Sequence, residues 1–179
     1  MEKPKDYDEI TAYGEYEKLE KGGHICRIIR AEEYVSQSGY EMIKIYMDTD
    51  KTDRQPEFFK NKYENDTREK KFWGCILYIM RYETDGKTSG RFKGLVESVE
   101  KSNNCEAEWG ANFFDWFKDK LIGGVFRYEE YLNQNNEKKI ATKCCRVTTV
   151  EKIKKGVAIP KDKLVETKPV EIYDDDLPF

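Results

Sequence analysis

Between residues 40 and 48 the side chains alternate between two kinds of chemistry. Ile43, Ile45 and Met47 fall on one side of an extended chain; Tyr40, Met42, Lys44 and Tyr46 fall on the other. The first side is an ordinary core face. The second sets phenol rings beside a cation at two-residue spacing. Such rings stack on planar groups and such cations neutralise phosphates, so the pair suits an extended polyanion that carries flat faces. A second run of the same kind follows, interleaving Phe58, Lys60, Lys62, Tyr63, Arg68, Lys70, Lys71 and Trp73. Arg27 and Arg30 stand in the preceding Ile/Val-rich run. Arg81 shares the parity of Trp73 in the following one, and one choice of strand register points both outward. These fourteen residues are the candidate binding set.

Other site chemistries find little support. Cys26, Cys75, Cys105, Cys144 and Cys145 contain no CxxC pair, and the chain has a single histidine, His24. A zinc site needs spaced thiolates and imidazoles, so the thiols are expected to be reduced and to fill a β core, with His24 an ordinary strand residue. No Gly-rich phosphate loop, HExxH or nucleophile motif occurs. The carboxylates are scattered or lie at the chain end, which argues against a metal-dependent nuclease. The expectation is a protein without enzymatic activity, cofactor or metal.

Strand patterns run over 24–36, 40–48, 72–82, 121–132 and 138–152, with a Ser38-Gly39 turn after the first. Phe92, Leu95, Val96 and Val99 share the i, i+3, i+4, i+7 spacing of one helical face within 89–102. Residues 109–118, with Phe113, Phe114, Trp116 and Phe117, predict a short aromatic cover. Gly123-Gly124 allow a bend or bulge. Residues 49–71, with Pro56 and seven basic residues, predict a long loop carrying Phe58, Phe59 and Tyr63. The order strand, strand, strand, helix, strand, strand predicts a mainly β protein. Its expected architecture is an OB-fold five-stranded barrel with a helix between strands 3 and 4. Residues 1–20 are expected to be a lead-in, 21–160 the domain, and 161–179 a tail.

The formal charge of −3 is segregated. Residues 1–20 and 169–179 each carry −4, which leaves +5 for 21–168. A mildly basic body with acidic ends fits a polyanion-binding domain with a solvated tail. No run of about 20 apolar residues is present to span a membrane, and the charged start lacks a secretory h-region. A cytoplasmic protein is expected. Oligomeric state is left open, with a homo-oligomer compatible.

The last residues read Asp174-Asp175-Asp176-Leu177-Pro178-Phe179. Such a run cannot bury enough apolar area to offset its ordering entropy, so a disordered tail is expected. A terminal aromatic beside a free carboxylate suits a partner with an apolar pocket and a basic residue. This ending resembles the C-terminal tip of bacterial single-stranded-DNA-binding proteins, Asp-Asp-Asp-Ile-Pro-Phe, with Leu177 in place of isoleucine. In that family the tip docks on replication, recombination and repair proteins. The body, over residues 16–160, resembles small single-stranded-DNA-binding proteins of bacteriophages. That likeness rests on Lys21-Gly22-Gly23, the 63–73 stretch, Arg91-Phe92-Lys93, Ser102-Asn103, and 125–131 with its Glu129-Glu130-Tyr131. The resemblance implies an OB-type barrel serving DNA replication or recombination in a phage or prophage. Its partners would be single-stranded DNA and host or phage proteins. A recombination annealing protein and a partner-binding adaptor without DNA contact are the alternatives.

Overall fold

The computed structural model describes residues 2–8 and 17–166. Five strands form one antiparallel sheet: β1 (Gly22–Val35), β2 (Glu41–Thr49), β3 (Ile76–Met80), β4 (Leu121–Leu132) and β5 (Lys138–Thr148). Their hydrogen-bonded order is β3-β2-β1-β4-β5. Four helices accompany them: α1 (Phe58–Glu64), α2 (Gly90–Asn103), α3 (Phe113–Trp116) and α4 (Val150–Lys155). No helix among the described residues is long and apolar enough to cross a membrane.

The alternation of β2 sets the core. Ile43, Ile45 and Met47 are fully buried beside Ile28 of β1 and Ile122 and Phe126 of β4. The apolar stripe of α2 buries Phe92, Leu95, Val96 and Val99 against them. Phe113, Trp116 and Phe117 close one side of the cluster. Asn103 ends α2 by clasping the start of β4: its amide donates to the Leu121 carbonyl at 2.8 Å and its side-chain oxygen accepts the Leu121 N–H at 2.9 Å. Ser102 Oγ accepts the Val150 N–H, tying α4 to the same helix end. α4 lies against β1 and β4. It can approach because position 123 carries no side chain: a Cβ there would sit 2.8 Å from the Thr149 carbonyl oxygen and collide with Ile153.

Several expectations need correction. The closed barrel does not form; β3 and β5 remain edges of an open sheet. β3 is only five residues long, and α2 packs against both β3 and β5, so a helix rather than a ladder spans that seam. Strand 3 starts at Ile76 rather than 72. Strand 5 ends at Thr148, whose neighbour Thr149 caps α4 by accepting the Lys152 N–H. The long loop contains α1. The lead-in is not wholly outside the domain, since Leu19 is buried in the core and Glu20 donates its N–H to Gln55. Residues 161–166 lie along β4, with Lys163 bridging Glu129 in parallel. The tip residues Asp174, Asp175, Asp176, Leu177, Pro178 and Phe179 fall outside the described residues.

The thiols meet the expectation in part: Cys26 and Cys75 are buried in the core and Cys144 and Cys105 pack against it, whereas Cys145 lies outside the cluster. Burial pushes Cys26, Cys75 and Cys144 up, Cys144 to about 12.

Candidate nucleic-acid interface

The face of the sheet opposite the core is organised by one irregularity. β1 carries a bulge at Ile29, between the pairs Ile28↔Met47 and Arg30↔Tyr46. Up to Ile28 the even-numbered residues face the core; after the bulge they face outward. The outward residues of β1, β2 and β3 then form three rows. Arg30, Tyr46 and Ile76 make the first, Glu32, Lys44 and Tyr78 the second, and Tyr34, Met42 and Met80 the third.

Within this grid the rings and cations touch. The Arg30 guanidinium lies 4.0 Å above the Tyr46 ring centroid, and Lys44 Nζ lies 4.8 Å from Tyr46 and 5.7 Å from Tyr78. Tyr34 meets Tyr78 edge-on at 5.1 Å. Glu32 sits among them, accepting the Tyr46 hydroxyl at 2.9 Å and pairing with Lys44 at 3.3 Å and Arg30 at 4.0 Å. The Tyr46 hydroxyl and the two cations hold the Glu32 carboxyl below its usual range. Tyr46 and Glu32 in turn hold the Lys44 ammonium above its own. Tyr46 is covered by Arg30 and largely buried, whereas Tyr78 is 44% exposed. The ring with an open face is therefore Tyr78, and over Tyr46 the flat surface offered is the guanidinium.

The second patch is the loop that enters β3. The Trp73 indole N–H donates to the Met47 carbonyl at 2.7 Å, and the Met47 N–H donates to the Cys75 carbonyl. The loop is thus fixed beside Tyr46. Tyr63 packs against Trp73 at 5.7 Å with Lys71 above its ring, and Lys62 and Lys70 are exposed nearby in sequence.

The candidate set divides accordingly. Arg30, Lys44 and Tyr46 share the sheet face; Tyr63, Lys71 and Trp73 share the loop patch. Tyr40 is exposed in the β1–β2 turn, beyond the start of β2. Trp73 does not lie on β3 and is half-buried against the core. Arg81 lies beyond β3 and pairs with Glu33, off the platform. Arg27 is engaged by Asp50 and the Asp119 carbonyl. Phe58 packs on the core, Lys60 pairs with Glu57, and Arg68 forks onto Asp66, whose carboxyl it holds down to about 2.

Three residues of the face escaped sequence reasoning: Tyr34, Tyr78 and Glu32. The bulge inverts the parity on which Tyr34 depends. The run Ile76-Leu77-Tyr78-Ile79-Met80 carries no polar alternation from which to choose a side. His24 lies on β1, as expected, but it is not an ordinary strand residue. It is fully buried, with Nδ1 2.7 Å from Asp53 Oδ2 and Nε2 2.7 Å from the Glu20 carbonyl oxygen. Asp53 also accepts the Ile25 and Gln55 N–H groups. Burial pushes its carboxyl up, but these hydrogen bonds outweigh burial and hold it below the usual range. The pair braces β1 against the loop and lead-in; it does not belong to the face.

No protein-family model matches the chain, and no curated protein matches it.

Proposed function

We propose that this protein binds single-stranded DNA without sequence preference on the outer face of β1, β2 and β3, and recruits replication or recombination proteins through its acidic end. The observation that carries the first part is the tyrosine–cation grid of Arg30, Tyr34, Lys44, Tyr46 and Tyr78 on the face of the sheet opposite the core. Stacking on such rings is indifferent to base identity and is worth about 1–3 kcal/mol per base. Neighbouring cations add a salt-dependent term for each phosphate neutralised. A duplex keeps its bases stacked inside and offers these rings nothing to stack on.

An open sheet with OB-type strand order is the fold that fits this role. Its support is the arrangement of β1 between β2 and β4, with β3 and β5 outermost and α2 between β3 and β4 in sequence. The recruiting role rests on the sequence from Asp174 to Phe179, where three carboxylates precede Leu177, Pro178 and Phe179. A phage or prophage protein acting in the cytoplasm of its host is the setting these features suggest.

Titration of labelled oligo-dT against duplex of equal length, over a series of salt concentrations, tests the binding role. Preferential binding of oligo-dT that weakens with salt is expected. Equal affinity for duplex, or no binding of either in dilute buffer, would overturn it.

A further inference from the structure

On the sheet face the cations are already countered. Lys44 and Arg30 share Glu32, and Arg27 has Asp50; off the platform, Arg81 has Glu33. A countered cation neutralises a phosphate only after giving up its carboxylate, so the face is rich in rings and poor in free charge. Two uncommitted cations lie close by. The seam between β3 and β5 is a cleft of about 150 Å³, lined by Leu77 and Tyr78 of β3, Arg91 and Gly94 of α2, and Arg146 and Val147 of β5. Arg91 and Arg146 are exposed, and neither forms an ion pair among the described residues. They reach the cleft from different elements. Gly94 leaves the helix wall open, since a Cβ there would meet nothing within 4 Å.

Tyr78 belongs to both places. Its ring touches Tyr34 and lies near Lys44 on the face, and it also forms part of the cleft wall. A strand whose base stacks on Tyr78 therefore has its adjoining phosphates at the cleft mouth. We propose that this cleft is the phosphate-binding continuation of the strand path, with Arg91 and Arg146 gripping consecutive phosphodiesters after the base on Tyr78. The proposal rests on the reading that the sheet face binds single strands. It adds that much of the salt-sensitive affinity comes from the open seam rather than from the face itself.

The test is the salt dependence of oligo-dT binding by the full chain carrying Arg91→Gln and Arg146→Gln together. Each single-strand phosphate contact contributes about 0.7 to the log–log slope, so the double variant should bind with a slope shallower by about 1.4. A control removes the same charge elsewhere on α2. Lys93→Gln with Lys101→Gln takes away two cations that flank Glu97, and it should leave the slope within about 0.3 of the parent. Thermal melts of both variants establish that they fold. An unchanged slope in the arginine variant, or an equal drop in the lysine control, overturns the cleft while leaving binding on the face standing. Failure of the parent chain to bind oligo-dT at all overturns both.

Discussion

Replacing Glu32 by glutamine should tighten binding to single-stranded DNA and steepen its salt dependence. The carboxylate lies 3.3 Å from Lys44 and 4.0 Å from Arg30, with a side chain 42% exposed. Exposed pairs of this kind are worth about 0.2–1 kcal/mol each after solvent screening, so breaking them costs the fold little. Glutamine also retains an oxygen to accept the Tyr46 hydroxyl, now 2.9 Å away. The gain appears in the complex. The carboxylate no longer competes for the two cations, nor repels a phosphate passing several Å away, a term of about 0.5 kcal/mol in a water-like dielectric. Together these amount to about 1 kcal/mol, or roughly fivefold tighter binding at low salt. Two cations become available to phosphates, so the log–log slope should steepen by about 0.7–1.4. Fluorescence anisotropy of oligo-dT across a salt series measures both quantities. Glu33→Gln is the matched control, because Glu33 pairs with Arg81 away from the grid; it should change the slope by less than half as much. Weaker binding by the Glu32 variant, or a slope equal to that of the Glu33 variant, would refute the placement of the strand over Lys44 and Arg30.

The remaining predictions concern the rings, the buried pair and the chain end. Tyr78→Ala should lose about 1–3 kcal/mol of oligo-dT affinity with little change in salt slope, and Tyr40→Ala, in the turn, should lose less than half of that; equal losses would move the platform off the sheet. Asp53→Asn should destabilise the fold by about 3 kcal/mol in urea titration, because it leaves buried His24 without its charged partner. The Asp53 carboxyl lies below its unfolded value near 3.9, so its contribution is complete above that pH and is lost as pH falls through the lower, folded value. Parent and variant should therefore converge in stability on acidification, and a constant gap from pH 7 to pH 3 would contradict this. Deleting residues 174–179 should leave oligo-dT affinity unchanged or raised, since it removes three carboxylates, while abolishing capture of replication or recombination proteins in a pull-down; capture that survives the deletion would remove the tip from the recruiting role.

What could be read from the sequence is what depends on neighbours a few residues apart. The alternation through Ile43, Ile45 and Met47, the stripe of α2 and the bounds of β4 all follow from local period, and the structure holds them where the period puts them. The features that set the face depend on distant residues. The bulge at Ile29 exists only as a register between β1 and β2, yet it brings Arg30, Glu32 and Tyr34 to the outside. α1 shows the same dependence. Its N-cap residue, Glu57, has a positive φ of 48° and no side-chain capping bond, so nothing in its own sequence starts a helix. The cap comes from β2 instead, where Asp48 accepts the Phe59 N–H at 2.8 Å and the Lys60 N–H at 3.2 Å. Burial nonetheless raises the Asp48 carboxyl, so the folded state holds this proton more tightly than the unfolded chain does, and through this group acidification does not disfavour folding. Closure of the sheet is likewise a matter of distance: five residues of β3 and the thickness of α2 leave a cleft where the strand order alone suggested a ladder. The same departure from a closed barrel that the local pattern could not reveal is what exposes Arg91 and Arg146 beside Tyr78.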